Sequence, residues 1–283
     1  MKSQREVRLP SAAGLFYAGT PDELRAQIEE CFVHRLGPGL PSAEATAKNP
    51  LLGLVCPHAG YVYSGPVAAH GFSRLAGHTP DVVVILGPNH HGLGASVAVS
   101  AVRAWRTPFG DVPVDDEVSR LVLSLFAEAR PDNLAHSVEH SIEVQLPFLQ
   151  YLYGSEFSLV AIAMADQSWA TSHALGDAIG TALESKTGLI IASSDLSHYE
   201  THRRAVEMDS LALEAVLALD PARAYRIVRQ RAFSVCGLGP ISAALCACQK
   251  AAATRAELLC YATSGDTSGD YSRVVGYASV AIS

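Results

Sequence analysis

The sequence predicts an α/β domain with a mostly parallel central sheet covered by helices on both faces. Three observations carry this. Apolar runs such as Val82-Val83-Val84-Ile85-Leu86 lack polar alternation, the pattern of strands buried on both faces. Longer stretches with helical spacing of apolar residues lie between them, and such alternation builds parallel sheets. Hydrophobic residues make up 49% of the chain and charged ones 17%, enough to fill a large core and unlike a disordered polymer. The length fits one domain over residues 1–283.

Strands are expected at 51–56, 82–86, 96–102, 159–164, 189–193, 258–262 and 274–282. A helix at 21–33 opens after Thr20, with Pro21 in first position and acids in the first turn. The stretch 115–128 places Val118, Leu121, Val122 and Leu125 at helical spacing. Further helices are expected at 141–153, kinked or split by Pro147, and at 169–185, 204–219 and 240–253. Residues 37–50, rich in Pro, Ala and Ser, read as a loop. The segment 105–114, with Thr107-Pro108 and Gly110, is expected to cover a pocket mouth.

Charge and composition exclude several functions. The net charge is −7, and Arg203-Arg204 is typical of the sparse basic pairs, so nucleic-acid binding, which needs clustered cations, is not expected. No apolar run approaches the roughly 18 residues of a membrane span, and the opening MKSQREVRLP lacks the apolar core of a signal peptide. The six cysteines form no CxxC, which points to a cytoplasmic protein without disulfides or a zinc ribbon. No GxSxG elbow, GxGxxG turn or P-loop is present; Gly92-Leu93-Gly94 is only a partial match.

The polar residues cluster by position. Cys56-Pro57-His58-Ala59-Gly60 follows the first core strand, Gly87-Pro88-Asn89-His90-His91-Gly92 the second, and Ser193-Ser194-Asp195-Leu196-Ser197-His198 a third. In open α/β sheets, ligands bind beyond the carboxyl ends of strands. Cys236 precedes the helix expected at 240–253, whose dipole favours a thiolate. Each signal has a plainer reading. The His90-His91 pair also suits a turn, Cys236 a packed core thiol, and Ser193-Ser194-Asp195 a helix cap. Their convergence on one rim favours a shared pocket. Glu139-His140-Ser141 reads either as a helix start or as groups supporting the pocket from behind, and the second reading is preferred.

These motifs resemble the Memo family, which includes the B component of the AmmeMemoRadiSam system. The resemblance spans Ala13-Gly14-Leu15-Phe16-Tyr17, Pro57-His58-Ala59-Gly60-Tyr61-Val62-Tyr63-Ser64-Gly65 and Leu86-Gly87-Pro88-Asn89-His90-His91. It continues through Glu139-His140-Ser141-Ile142-Glu143, Ser193-Ser194-Asp195-Leu196-Ser197-His198 and Cys236-Gly237. It implies a fold like that of class III extradiol dioxygenases and a metal held by His58, His90 and Cys236. It also places His198 as acid/base, with Asp195 beside it. His91, Glu139, His140 and Tyr61 are expected as supporting groups around the ligands, with Tyr61 equally suited to packing, while Tyr63 is expected to pack on the sheet. Ser64 and Gly65 are further candidates for the pocket wall.

The implied metal is divalent, with iron foremost and copper or zinc as alternatives, because a thiolate in place of the dioxygenase carboxylate favours softer ions. Three functions follow. The chain is an iron-dependent redox enzyme acting on a small chelating substrate, a metal-handling protein without turnover, or a module binding a small molecule or peptide. The resemblance also implies radical SAM and AMMECR-type partners.

Overall fold

A computed structural model describes residues 6–42 and 51–283. Residues 43–50 of the expected 37–50 loop, and residues 1–5, lie outside the described residues.

The chain opens with strand β1 (Val7–Arg8) and helix α1 (Pro21–Val33), then β2 (Gly53–Cys56), α2 (Tyr61–Ser73), β3 (Val82–Pro88) and β4 (Val97–Val99). A hairpin of β5 (Ala104–Thr107) and β6 (Gly110–Pro113) leads into α3 (Asp116–Leu125) and β7 (Arg130–Pro131). Next come α4 (Leu146–Tyr153), β8 (Ser158–Met164), α5 (Trp169–Ala182), β9 (Gly188–Ser193) and β10 (His198–Glu200). The chain ends with α6 (His202–Leu217), α7 (Pro221–Gln230), α8 (Leu238–Lys250), β11 (Ala256–Thr263), α9 (Ser264–Ser268) and β12 (Val274–Ile282).

Among the described residues, nine strands form one sheet in the order β10-β12-β2-β9-β3-β8-β4-β7, with β11 also paired to β12. The centre is parallel: Cys56 lies opposite Ser193, Leu86 opposite Ala192, and Pro88 opposite Met164. The flanks differ from the expected parallel arrangement. β12 runs antiparallel to β2, β10 and β11, and β4 antiparallel to β8, so the sheet is mixed. A second, three-stranded sheet joins β1, β5 and β6.

All seven residues of β3 are buried, and they alternate between two cores. Val83 and Ile85 meet Phe32, Phe72 and Phe148 on one face; Val82, Val84 and Leu86 meet the α5 and α8 side chains on the other. Each such side chain contributes about 1.5–3 kcal/mol by leaving water. The centre therefore lacks polar alternation because both faces are covered.

Three local differences have clear causes. Pattern reading assigns no element to α2, where Gly65, Pro66 and Gly71 disguise a helix; Pro66 stands inside it, and Gly71 packs against Ser279 and Cys56, where a Cβ would lie 2.6 Å from Ser279 Oγ. Pro147 does not kink a helix over 141–153. It sits in the first turn of α4, where its missing N–H costs nothing, and a 3-10 turn (Glu143–Gln145) precedes it. Residues 105–114 form the β5–β6 hairpin and no pocket cover: Trp105 is buried and Thr107 donates to Gln150 of α4.

Candidate metal centre

The parallel centre brings the carboxyl ends of β2, β3 and β9 to one edge. His58, His90 and Asp195 each follow those ends by two residues. Glu139-His140-Ser141 closes over the same edge from the segment before α4. Gly87 permits that approach, because a Cβ there would lie 2.5 Å from Ser141 Oγ. Across the site, Gly237 lets the turn before α8 reach β9, since a Cβ there would lie 2.5 Å from the Ser194 Cβ.

Among the described residues, one His/Cys/Asp/Glu group could hold a metal ion: His58, His90 and His140, whose ligand atoms all lie within 4.8 Å of one another. The His140 ring stacks on His90 (centroids 4.8 Å, 16°) and on Phe16 (4.2 Å, 24°), and both histidines meet His58 edge-on. His140, expected to support the ligands from behind, is one of the three histidines that could hold an ion.

Hydrogen bonds set the tautomers. Ser193 Oγ donates to the Ser141 carbonyl (2.6 Å) and accepts from Gln145 Nε2 (2.8 Å). Its one proton is committed, so its 2.9 Å contact with His58 Nδ1 requires the imidazole to donate there. His58 Nε2 is then a bare lone pair. Glu139 does the same for His90: Oε1 accepts from Nδ1 (2.9 Å) and Oε2 from the His90 backbone N–H (2.6 Å). Carboxylate or hydroxyl partners behind imidazoles fix ring orientation and raise donor strength.

Burial pushes His58 well below the ordinary histidine range, helped by His140 and His90, and pushes His140 down to about 4 against the pull of Glu139. Both imidazoles are neutral near pH 7, as metal ligation requires. Burial would raise the Glu139 carboxyl. The His90 contact and the Ser141 and His90 N–H groups outweigh it and hold the group well below the carboxylate range.

Cys236 Sγ lies 3.2 Å from His58 Nε2, so the thiol donates to that lone pair. It also accepts the Asp195 N–H at 3.2 Å. The helix-start argument for a thiolate does not hold for the protein without metal: burial, then the Asp195 charge, raises the thiol well above its ordinary range. Asp195 accepts the His58 N–H at 2.8 Å, and burial pushes its carboxyl up to about 6. Its carboxylate therefore ties the β2 turn to the β9 turn. His198 is oriented by Ser234, whose carbonyl takes the proton of Nδ1 at 2.8 Å, leaving Nε2 as acceptor.

The remaining expected residues sit elsewhere. Tyr61 packs in the core against Phe148, its hydroxyl donating to the Val144 carbonyl at 2.7 Å. Tyr63 is 46% exposed, off the sheet where it is expected to pack. Ser64 Oγ donates to the Ala59 carbonyl inside the α2 start, and Gly65 abuts Cys31. His91 faces solvent. Ser193, Gln145, Phe16 and Ser234 carry roles that sequence reasoning assigns to none of them; each lies inside or beside a motif, which was the available signal. Glu143, named above only within the family motif, is fully buried. It pairs with Arg8 and accepts the Ser11 and Ala12 N–H groups and the Tyr17 hydroxyl.

Fold and site together define a mixed α/β protein with a histidine-rich pocket able to hold a metal ion at the carboxyl edge of its sheet. The family model for Memo-like protein matches residues 8–281, and the chain belongs to that family. A MEMO1 family protein of Methanopyrus kandleri is 48% identical over 276 residues, covering 96% of this chain and 98% of its own. One from Ignicoccus hospitalis is 45% identical over 278 residues, covering 97% and 98%. The crystal structure of an uncharacterized protein from Escherichia coli K12 superposes with a TM-score of 0.61 at 14% identity, covering 82% of this chain and all of the other, a likeness of fold. Among the described residues, no helix is long and apolar enough to cross a membrane.

Proposed function

We propose that this protein is a metal-dependent redox enzyme that acts on a small chelating substrate. The ion is held by His58 and His90, with iron(II) as the resident metal. The observation that carries this is a pair of oriented rings: Ser193 and Glu139 each engage the Nδ1 side of an imidazole, His58 and His90, and leave the Nε2 side free to face the site.

The donor set fits the ion. Two imidazoles plus a third donor leave positions open, and such a centre would supply electrons and bind substrate oxygens when loaded. His198, with Nδ1–H committed to Ser234, offers Nε2 to take a proton from a substrate hydroxyl and return it. Asp195 links the two sides of the pocket: its carboxylate accepts the His58 backbone N–H and its own backbone N–H donates to Cys236 Sγ. Resemblance to the class III extradiol dioxygenases supports the same reading, with catechol-like molecules as the first substrates to try.

The test is oxygen uptake by anaerobically iron-loaded protein on addition of a catechol. Uptake above the iron-free control, reduced at least tenfold in His198→Gln, is the expected result. Background uptake with every catechol, alongside intact iron binding, would leave a metal-binding protein without turnover.

A second reading has its own observation. Large apolar side chains are exposed beside motif residues in the sequence: Leu15 at 81%, Val62 at 67% and Val138 at 47%. Exposed apolar side chains suit a ligand with an apolar arm, small molecule or peptide, held with or without chemistry.

A further inference from the structure

Among the described residues, four that are not glycine have a positive φ: Tyr199, Leu219, Ala232 and Ala252. The last three end helices. They follow the final turns of α6, α7 and α8, and in each case the next N–H reaches back to close the turn: Asp220 to the Ala215 carbonyl, Phe233 to Val228 and Ala253 to Cys248. Tyr199 ends no helix. It is the middle residue of β10, where the pairing with β12 slips. His198 lies opposite Val275 and Glu200 opposite Val274, so Tyr199 is the extra residue of a bulge. Its φ of +60° is costly for any residue with a Cβ and free for glycine. Ser234 pins His198 through both its backbone N–H and its ring, at 2.8 Å each, so the slip is absorbed one residue later. The Tyr199 side chain is 66% exposed. Its ring stands edge-on to that of His198 (centroids 6.0 Å, 66°), with the Arg273 guanidinium 5.5 Å from its centre. Arg273 is exposed and has no carboxylate partner among the described residues; Glu200, next along β10, is engaged by Arg204 at 2.9 Å.

We propose that Tyr199 and Arg273 form a recognition site beside His198 for a planar aromatic carboxylate. This rests on the enzyme reading above and names the class of substrate. An aromatic ring stacks on the exposed Tyr199 ring, and a carboxylate on it pairs with the Arg273 guanidinium, whose planar fork matches that group. A ligand seated on Tyr199 lies next to His198, the residue assigned to move the proton. Tyr277 ties this position to the pocket. It is buried, and its hydroxyl is raised by burial first, then by Asp195, Tyr63 and Tyr199, so Asp195 and Tyr199 lie within electrostatic reach of one side chain. The exposed Tyr199 ring gains little from packing, so its backbone cost is not offset within the fold, and contact with a ligand is what it serves.

The experiment measures binding of three probes to one preparation of the protein by titration calorimetry. They are 3,4-dihydroxybenzoate, catechol, which lacks the carboxylate, and 3,4-dihydroxycyclohexanecarboxylate, which lacks the aromatic ring. The wild type binds 3,4-dihydroxybenzoate at least about tenfold more tightly than either of the others. Arg273→Gln lowers that affinity to the level of catechol and leaves catechol itself unchanged. Tyr199→Gly lowers it to the level of the saturated acid, and Tyr199→Phe keeps it. Tyr199→Gly also unfolds in denaturant at the wild-type concentration or above, because glycine relieves the positive φ. No preference in the wild type, or a preference retained in both Arg273→Gln and Tyr199→Gly, would overturn the proposal. So would a lowered unfolding midpoint in Tyr199→Gly, since the ring would then serve the fold. The preference without oxygen uptake by iron-loaded protein keeps the recognition site and overturns the redox reading. Oxygen uptake with catechol and no preference for the carboxylate does the opposite.

Discussion

The Glu139 carboxylate grips His90 twice, accepting its backbone N–H at 2.6 Å and its ring Nδ1–H at 2.9 Å. One buried side chain thereby sets the position and orientation of a candidate metal-site histidine. Its own charge is maintained by those same contacts, which overcome the cost of burial. Glu139→Gln keeps the shape but loses the charge, so metal affinity drops by about 10–100-fold with little change in fold. Chelator competition alongside circular dichroism checks this.

Ser193 makes the equivalent argument for His58. With its proton committed to the Ser141 carbonyl, the imidazole must carry its own proton on Nδ1. Nitrogen NMR of the metal-free protein is expected to show His58 as the Nδ1–H tautomer. Ser193→Ala removes that acceptor and mixes the tautomers.

The Arg8–Glu143 pair anchors the segment bearing Glu139 and His140. The guanidinium also donates to the His136 and Glu139 carbonyls and lies 4.3 Å over the Trp105 ring. Arg8→Met strands a fully buried carboxylate and costs about 3–5 kcal/mol in denaturant unfolding. Adding Glu143→Gln recovers part of that loss, because the uncompensated charge is gone.

Acid sensitivity follows from buried neutral histidines. Burial, then the Arg8 charge, lowers His136 to about 4, and its Nδ1 has no partner. The unfolded chain binds a proton at this residue below about 6.5 and the folded chain only below about 4. Stability is therefore lost as pH falls through that window, by on the order of 3 kcal/mol for this group. Asp195, raised to about 6, acts in the opposite sense, since its folded form binds the proton first. Guanidinium unfolding at pH 7 and pH 4.5 measures the sum, and His136→Gln flattens the pH dependence.

Much of this was legible in the residues. Strands such as Val82–Pro88 announced themselves because burial on both faces needs unbroken apolar runs. The rim was legible because His58, His90 and Asp195 all sit two residues past such strands. The roles of His140 and Glu139 were harder to see. Adjacent in sequence, they differ through side-chain packing alone: Phe16, distant in the chain, stacks on the His140 ring beside the other candidate ligands, while Glu139 turns beneath His90. Helix α2 was hidden because its glycines serve close packing, and propensity reads them as breaks. The antiparallel flank, likewise, depends on where β12 returns, which no local pattern encodes.

Elemental analysis of anaerobically purified protein, compared with His58→Ala and His90→Ala variants of unchanged circular dichroism, tests the central claim most directly. The account predicts close to one equivalent of metal, mainly iron, in the wild type and loss of nearly all of it in both variants. Metal retained at full stoichiometry in either variant, or a wild type that takes up none even when iron(II) is supplied, would contradict it.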